Sequence, residues 1–188
     1  MSRSSSGPGL RPFTAATGVR VPYGIPMNQY KDKAQIKSLI KQAFYINQVL
    51  DEYRFTSILD IGTGPGIIKR VLVKKGKLCH TVEQYYQWEE FKQFNPEIDF
   101  RMGHYENRQW ELPVTGRYDC VVLSRFFSLY HTIEDFESVT ATLNAAYSNN
   151  ILLLHNPKSW RLNLHVQSKA KRHDTDLWPI YVLQKQHE

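Results

Sequence analysis

The sequence predicts an α/β fold in three layers, with helices on both faces of a mostly parallel β-sheet that ends in an antiparallel strand or hairpin. Two observations predict the parallel part. A glycine-rich turn joins an apolar segment to a helical pattern at residues 57–72, and apolar segments alternate with helical patterns up to residue 154. Strands that alternate with helices at this spacing form parallel sheets with right-handed crossovers. A third observation predicts the antiparallel part, because two strand-like patterns follow one another near the C-terminus.

The composition is that of one globular domain. The chain has 188 residues, of which 41% are hydrophobic and 22% are charged, so it can bury a core without a second domain. We expect a flexible basic arm at residues 1–22, which are rich in Ser, Gly and Pro, and a single domain at residues 23–188. No apolar run approaches the roughly 18 residues that a membrane-spanning helix needs.

Two cysteines, Cys79 and Cys120, lie inside predicted strands, where a thiol usually packs as a small apolar group. We therefore predict no disulfide and no metal site, and an intracellular, reducing compartment. The cytoplasm is the expected location. Organellar import is the alternative, because the first 31 residues contain Ser and Arg but no acid, although glycines and prolines interrupt the amphipathic helix of a transit peptide.

The charge predicts an anionic partner. The formal net charge is +6 and the pI is about 9.3, which favours anions through long-range attraction. The residues that we expect to contact RNA lie in the arm and near the C-terminus: Arg3, Arg11, Arg20, Lys169, Lys171 and Arg172. Solvated surface charge explains the same clusters equally well.

The elements of the N-terminal half follow from apolar periodicity and end signals. Asp32 and Gln35 form a predicted capping pair for a helix whose apolar residues recur every three or four positions up to Tyr53. Gly76 is placed to end the short helix that follows the glycine turn. The other predicted elements are strands at residues 57–61, 78–83 and 98–102 and helices at residues 67–72 and 83–94.

In the C-terminal half, residues 117–124 contain an aromatic-Asp pair and then a continuous apolar run, which indicates a strand that is buried on both faces. Thr132 is the predicted N-cap of a helix up to Ala146, and residues 151–154 form the next strand. Residues 159–168 fit a helix or a strand, and we interpret them as a strand because apolar residues occupy every second position. With a strand around residues 178–183 it would form a hairpin with a long basic loop.

The glycine turn carries the strongest functional signal. Gly62, Gly64 and Gly66 follow Asp60 at every second position, and such glycines let backbone N–H groups at a helix start face a ligand. A dinucleotide fingerprint needs its third glycine at position 67, where Ile67 stands, and no Gly-Lys-Ser or Gly-Lys-Thr of a P-loop follows. The turn therefore predicts a nucleotide-type ligand of another class.

This turn, with its order of apolar, apolar, acid, apolar, Gly, x, Gly, x, Gly, resembles motif I of the class I S-adenosylmethionine-dependent methyltransferases. The pair Tyr118-Asp119 resembles the start of their fourth strand. The resemblance implies a Rossmann-like three-layer sandwich with S-adenosyl-L-methionine as cofactor. It also implies that Asp60 lies near the amino group of the cofactor and that Glu83 holds its ribose hydroxyls. Glu83 stands 17 residues after Gly66 (83 − 66), close to the spacing of about 20 for a ribose-binding acid.

The cofactor-binding residues that the resemblance implies are Asp60, Gly62, Thr63, Gly64, Gly66, Glu83, Gly103, His104 and Ser124. Many relatives place an adenine-binding acid just after the third strand, where this chain has Gly103 and His104. Glu106 comes two positions later. His104 is able to bind adenine in place of the acid, and a surface histidine in a loop is the alternative.

Catalytic residues are harder to assign, because methyl transfer needs only alignment and, for a protonated nucleophile, a base. His131, Tyr130 and His155 are the candidates that would border the methyl donor. Residues 124–127 read Ser-Arg-Phe-Phe where an Asn-Pro-Pro-Tyr motif would stand, so methylation of adenine N6 is disfavoured.

Two functions follow from these observations. The first is an S-adenosylmethionine-dependent methyltransferase that acts on RNA or another anionic substrate. The second is a catalytically inactive, methyltransferase-like binding or scaffold subunit with protein partners, as in a ribonucleoprotein assembly. The intact glycine turn with Asp60 and Glu83 favours the first, and the missing adenine acid favours the second.

Overall fold

A computed structural model describes residues 33–83, 100–102, 104–106, 109–112, 114–127, 132–154 and 160–185. The basic arm, the capping residue Asp32 and nearly all of the predicted helix at residues 83–94 lie outside these ranges. Within them, no helix has the length and apolar character needed to cross a membrane. The same ranges contain no group of three or more His, Cys, Asp or Glu side chains arranged to hold a metal ion.

The described residues form four helices and nine strands. The helices are α1 (Lys33–Glu52), α2 (Ile67–Lys74), α3 (Ile133–Ala146) and α4 (Trp160–Lys169). The strands are β1 (Ser57–Ile61), β2 (Leu78–Glu83), β3 (Phe100–Met102), β4 (His104–Glu106), β5 (Gln109–Glu111), β6 (Cys120–Ser124), β7 (Asn150–Leu154), β8 (Lys171–His173) and β9 (Ile180–Gln184).

Seven strands form one sheet in the order β3-β2-β1-β6-β7-β9-β8. Five neighbouring strands, β3, β2, β1, β6 and β7, are parallel to one another, and β9 is antiparallel to both β7 and β8. The predicted fold class is therefore confirmed, including the antiparallel C-terminal hairpin. A small second sheet was not predicted from the sequence. In this sheet β4 pairs with β5, and the backbone of His104 lies opposite that of Glu111.

The sheet is the middle of three layers, because its strands bury side chains on both faces. On one face, Ile58, Cys79 and Cys120 pack in a cluster with α1 and α2. On the other face, Leu59 and Val121 pack in a cluster with α3 and α4. Both cysteines are buried as predicted, and burial raises the pKa of each thiol.

The prediction of a strand at residues 159–168 is wrong, because most of these residues belong to α4. Leu162 and Val166 are each 1% exposed, whereas Leu164 is 57% exposed. Positions four apart share one helix face, so this pattern is helical, and the alternation in the sequence coincided with it over a short window. The hairpin is formed instead by β8 and β9, and the predicted basic loop is the end of α4 followed by β8.

The remaining predicted elements are confirmed where they are described. Thr132 caps α3 in a capping box: its hydroxyl accepts from the Asp135 N–H, and the Asp135 carboxylate accepts from the Thr132 N–H. Gly76 follows α2 with a φ of 81°, in the left-handed region that a glycine adopts readily.

Candidate functional site

The glycine turn lies at the carboxyl ends of the parallel strands, at the point where the strand order reverses. From β1, the sheet continues through β2 to β3 on one side and through β6 to β7 on the other. Ligands of open α/β sheets bind in the crevice at such a switch point, outside the carboxyl ends of the strands. The described residues that border this site therefore end β1, β2 and β6 or follow β1 and β6.

The turn itself has the backbone conformation that the sequence predicts. Gly62, Gly64 and Gly66 have φ values of 74°, 54° and 70°, in the left-handed region that favours glycine. Gly66 is the N-cap of α2. The Gly62 N–H donates to the Val82 carbonyl at 2.8 Å, which fastens the turn to β2.

Asp60 is a buried acid near the end of β1. It is fully buried, and neither carboxyl oxygen has a hydrogen-bond partner among the described residues. Burial raises the pKa of Asp60 to about 7, and the charge of Glu83 also raises it, whereas Thr63 and Lys69 act in the opposite direction. The Thr63 hydroxyl is near enough to affect this pKa, yet its oxygen also makes no hydrogen bond within the described part of the chain.

Glu83 ends β2 directly beside the turn. Its Oε2 accepts a hydrogen bond from the Gly64 N–H at 2.7 Å. Asp60 and Glu83 are close enough for the charge of one to affect the pKa of the other. Two acids therefore face a glycine turn, and this arrangement suits a ligand with a positive charge or several hydrogen-bond donors.

The residues after β6 form the other side of the crevice. Ser124 is half-buried at the end of the strand. Arg125 follows with a φ of 58°, and its guanidinium lies 4.3 Å from the centre of the Trp178 ring. A Cβ at Gly62 would lie 3.6 Å from the Phe126 ring, which is an ordinary contact distance, so conformation rather than space favours glycine there.

Comparisons of the sequence found no match among protein-family models or curated proteins. The structure of this chain does resemble solved structures of other proteins. A protein of Pyrococcus horikoshii OT3 has a TM-score of 0.61 at 10% identity, over 82% of this chain and 93% of that one. Magnesium protoporphyrin IX methyltransferase of Synechocystis PCC 6803, with bound SAH, has a TM-score of 0.54 at 12% identity, over 81% and 86% of the two chains. This chain has the fold of the class I methyltransferases.

The methyltransferase fold is also that of a SAM-bound amino pentose methyltransferase of Micromonospora echinaspora. Its TM-score is 0.51 at 17% identity, and the match covers 63% of this chain. It covers 51% of that chain, so the present chain matches about half of the length of this relative. At these identities the likeness concerns the fold.

Within this methyltransferase fold, most of the sequence-derived cofactor residues lie together. The residues at the ends of β1, β2 and β6 or in the turn are Asp60, Gly62, Thr63, Gly64, Gly66, Glu83 and Ser124. The backbone of His104 belongs to β4, after β3. Gly103 and the three catalytic candidates Tyr130, His131 and His155 lie outside the described residues, so their roles stay predictions.

The contact between Arg125 and Trp178 was not predicted from the sequence. Arg125 directly follows a buried strand that is parallel to β1, and that position was a signal available in the sequence. Trp178 had no such signal, because only the antiparallel pairing of β9 with β7 brings the start of β9 to the carboxyl end of β7.

The C-terminal basic residues are in contact with neighbouring groups. Lys169 pairs with Glu137 at 2.6 Å, and Arg172 pairs with Asp174 at 2.7 Å. The Lys171 ammonium lies 5.4 Å from the centre of the Tyr53 ring. The arm residues Arg3, Arg11 and Arg20 lie outside the described ranges.

Proposed function

We propose that this protein is an S-adenosyl-L-methionine-dependent methyltransferase that acts on RNA or another anionic substrate. The observation that carries the proposal is the buried carboxyl of Asp60, which has no hydrogen-bond partner among the described residues and lies at a glycine turn beside Glu83. A buried acid without a partner is unfavourable, and a cationic ligand nearby lowers its free energy. The methyltransferase fold supports a cofactor of this kind at this edge of the sheet.

The residues present fit the cofactor. Its ammonium group would offset the two acids, with Asp60 nearest to the methionine part, and Glu83 would accept hydrogen bonds from the ribose hydroxyls. The N–H groups of the turn, held in the left-handed conformation at Gly62, Gly64 and Gly66, would lie along the ligand. When bound, the cofactor supplies a methyl group on a positively charged sulfur.

The protein contributes position and charge to this reaction. The turn, β2 and β6 fix the walls of the crevice, so a bound acceptor is held in one orientation. Tyr130, His131 and His155 are proposed as groups that orient the acceptor or take its proton, because they follow β6 and β7 in the sequence. Ser124, at the end of β6, is proposed to contact the cofactor.

An anionic acceptor is proposed from charge. The net charge of +6 attracts anions, and Lys33, Lys37 and Lys41 are exposed on α1. If the acceptor is RNA, its affinity will fall steeply between about 50 and about 200 mM salt, because phosphate contacts release counterions. A Lys171→Gln/Arg172→Gln double variant, compared with Lys33→Gln/Lys37→Gln, tests which basic group takes part in filter binding of a labelled single-stranded RNA. Salt-independent binding would exclude the RNA proposal.

Calorimetric titration of S-adenosylmethionine tests the cofactor directly. We expect binding to the wild-type protein and none to Asp60→Asn or Gly64→Val, because valine is strained at the left-handed φ of 54°. Asp174→Asn is the matched control, since its carboxylate pairs with Arg172 on the surface. Absence of binding to the folded wild-type protein would refute the enzyme and favour the binding-subunit function.

A further inference from the structure

We propose that the outer surface of α1 and of the last turn of α2 docks onto a membrane surface that contains anionic lipids. Docking of this kind is peripheral, because the apolar side chains enter only the headgroup region of one leaflet. The proposal goes beyond the methyltransferase function and does not depend on it. We call this surface the α1–α2 face, and the exposed residues that define it are Ile40, Phe44 and Val73 with Lys37, Lys41 and Lys75.

Large apolar side chains are exposed mainly on one layer of the protein. Among the described residues, Ile40 and Phe44 are exposed on α1, and Val73 is exposed on α2. Leu78, at the start of β2, is also exposed, and Leu164 on α4 is the one such residue described on the opposite layer. Single exposed apolar residues are common, but their concentration on one layer marks an interaction surface.

The two helices form one continuous surface where Phe44 meets the end of α2. The Lys75 ammonium, at the C-cap of α2, lies 5.6 Å from the centre of the Phe44 ring. Ile40 lies one helical turn before Phe44 on α1, and Val73 lies in the last turn of α2. Apolar side chains and cations therefore alternate over this surface.

The charge of the face has one sign. α1 has no acid before its last two residues, and α2 has none. Those two acids are already paired, Asp51 with Lys77 at 2.5 Å and Glu52 with His173 at 3.3 Å. The cations of the two helices and of the residues just after α2 are Lys33, Lys37, Lys41, Lys69, Arg70, Lys74, Lys75 and Lys77.

This excess of cations is a property of one layer only. Of the cations on the α1–α2 face, Lys41 pairs with Asp176, whereas Lys37 and Lys75 are exposed. On the opposite layer, α3 carries acids and no cation. An anionic partner is therefore attracted to the layer of α1 and α2.

An anionic lipid surface fits the α1–α2 face better than other occupants do. An RNA is held chiefly through its phosphates, which leaves exposed apolar side chains without a partner. A second copy of this chain would set cations against cations, and residues 1–31, which contain no acid, would do the same. A protein surface usually carries both signs of charge, whereas an anionic membrane is negative throughout. Lysine side chains reach the headgroups while their stems cover apolar surface.

The α1–α2 face is separate from the proposed cofactor site. It lies over one side of the sheet, whereas the glycine turn lies at the ends of the strands. Val73 and Lys75 are at the end of α2 that is remote from Gly66, its N-cap. Docking through this face therefore uses none of the residues that we assign to the cofactor.

Vesicle cosedimentation with the whole chain tests the apolar part of the face. The probes are vesicles of phosphatidylcholine alone and vesicles with about 30% phosphatidylserine, which have a negative surface potential. Phe44→Gln and Ile40→Gln each remove an exposed apolar side chain. Leu164→Gln is the matched control, because Leu164 is 57% exposed on the opposite layer.

A second pair of variants tests the charge. Lys37→Gln/Lys75→Gln removes two cations of the face, and Arg161→Gln/Lys185→Gln removes two exposed cations elsewhere. We expect the wild-type protein to bind the anionic vesicles and not the neutral ones. Phe44→Gln and Lys37→Gln/Lys75→Gln should each weaken binding about fivefold or more, because one large apolar side chain or two lysines at an anionic surface contribute at least that much. Both control variants should bind as the wild-type protein does.

A fluorescent label reports the docked face independently of these variants. Both native cysteines are buried, so an NBD dye that reacts with thiols can be attached selectively at Val73→Cys or, as the control, at Leu164→Cys. NBD emission increases in an apolar environment. With anionic vesicles it should increase at position 73 and stay unchanged at position 164.

The proposal is overturned if the wild-type protein binds neither kind of vesicle, binds both equally, or loses binding as much in Leu164→Gln as in Phe44→Gln. It is also overturned if Lys37→Gln/Lys75→Gln weakens filter binding of a labelled single-stranded RNA and leaves vesicle binding unchanged, because the face is then an RNA surface.

Titration of S-adenosylmethionine into the same proteins separates this proposal from the methyltransferase function. Vesicle binding without cofactor binding would refute the methyltransferase function and leave the α1–α2 face standing. Cofactor binding without vesicle binding would do the reverse.

Discussion

The Gly64 N–H donates a 2.7 Å hydrogen bond to Oε2 of Glu83, and this bond joins the glycine turn to the end of β2. It fixes the carboxylate beside the turn instead of leaving it to move with solvent. Because an N–H of the turn and an acid of the next strand are already paired, the crevice is organised by its own residues. Glu83 therefore has two roles, one in the local structure and one in the proposed recognition of the cofactor.

Replacement of Glu83 by glutamine should separate these two roles. The amide oxygen can still accept from the Gly64 N–H, so we expect little change in thermal stability. Hydrogen bonds to a charged group contribute about 1.5–3 kcal/mol, so the affinity for S-adenosylmethionine should fall by about one to two orders of magnitude. Calorimetric titration measures the change, with Asp174→Asn as the control for loss of a surface carboxylate. Unchanged affinity would remove Glu83 from the proposed cofactor site.

The pKa of Asp60 predicts a pH dependence of stability. Burial raises this pKa from its usual 3.8 to about 7, so between these values the folded protein binds a proton that the unfolded chain lacks. This extra proton stabilises the folded state relative to the unfolded state. The stabilisation is fully present below pH 3.8 and is lost as the pH rises through about 7. The free energy of unfolding changes by at most about 4 kcal/mol over this range, because a shift of one pKa unit corresponds to about 1.36 kcal/mol.

Asp60→Asn should remove this dependence, because asparagine does not titrate. We expect urea denaturation to show that the wild-type protein loses stability relative to the variant between about pH 5 and about pH 8, by a few kcal/mol. Asp174→Asn, a change at an exposed site, is the control. If wild-type and variant proteins differ in stability by the same amount at about pH 5 and about pH 8, Asp60 is ionised in the folded protein at both.

The capping box of α3 predicts a specific loss of stability. Thr132→Ala removes the hydroxyl that accepts from the Asp135 N–H at 3.2 Å, and such changes destabilise by about 1 kcal/mol. Thr142→Ala is the matched control within the same helix, since its hydroxyl donates to the Ser138 carbonyl and alanine favours helix. Chemical denaturation should show a loss for the first variant only. Equal losses would mean that the cap has no special effect.

Asp119 should stabilise the start of β1. Its Oδ2 accepts from the Thr56 N–H at 2.7 Å, from the Thr56 hydroxyl and from the Ser57 N–H. Burial acts to raise the pKa of Asp119, but these hydrogen bonds outweigh it and lower the pKa. The stabilisation should therefore be present above the usual pKa of 3.8 and be lost as the pH falls through the lower folded value.

Asp119→Ala tests this role. At about pH 7 we expect it to cost about 1.5–3 kcal/mol, because donors are left without their charged acceptor. The difference from the wild-type protein should shrink as denaturation is repeated at successively lower pH below the usual pKa of 3.8, because the folded carboxylate is protonated only as the pH falls through its lowered pKa. Asp174→Asn again controls for the loss of one surface charge. If the stability difference between Asp119→Ala and the wild-type protein does not change with pH, the loss is due to packing and not to the charged hydrogen bonds.

The sequence predicted the central part of the fold because local and long-range signals agree there. The glycines of the turn and the capping residue Thr132 act within a few positions, so their roles are readable without knowledge of the sheet. The continuous apolar run before Ser124 indicated a strand that is buried on both faces. These signals specified the order of the described strands and helices up to β7, apart from the β4–β5 pair.

The error at residues 159–168 has a physical cause. Four apolar residues at every second position match a strand, yet two of them, Leu162 and Val166, also lie on one helix face. Packing against the sheet decides which of the two patterns is buried. In the structure Leu164 is 57% exposed, as expected for a helix and not for a strand with all four residues on one face. The β4–β5 pair was missed for the same reason, since three-residue strands carry almost no pattern.

By itself, the sequence determined the glycine turn, the acids Asp60 and Glu83 near the ends of β1 and β2, and the parallel arrangement that brings them to one edge. The tertiary structure decided the contacts between residues that are distant in the chain. Arg125 and Trp178 are 53 positions apart (178 − 125) and meet because β9 returns antiparallel to β7. Contacts between distant residues depend on how the strands pair, and no local pattern in the chain specifies that pairing.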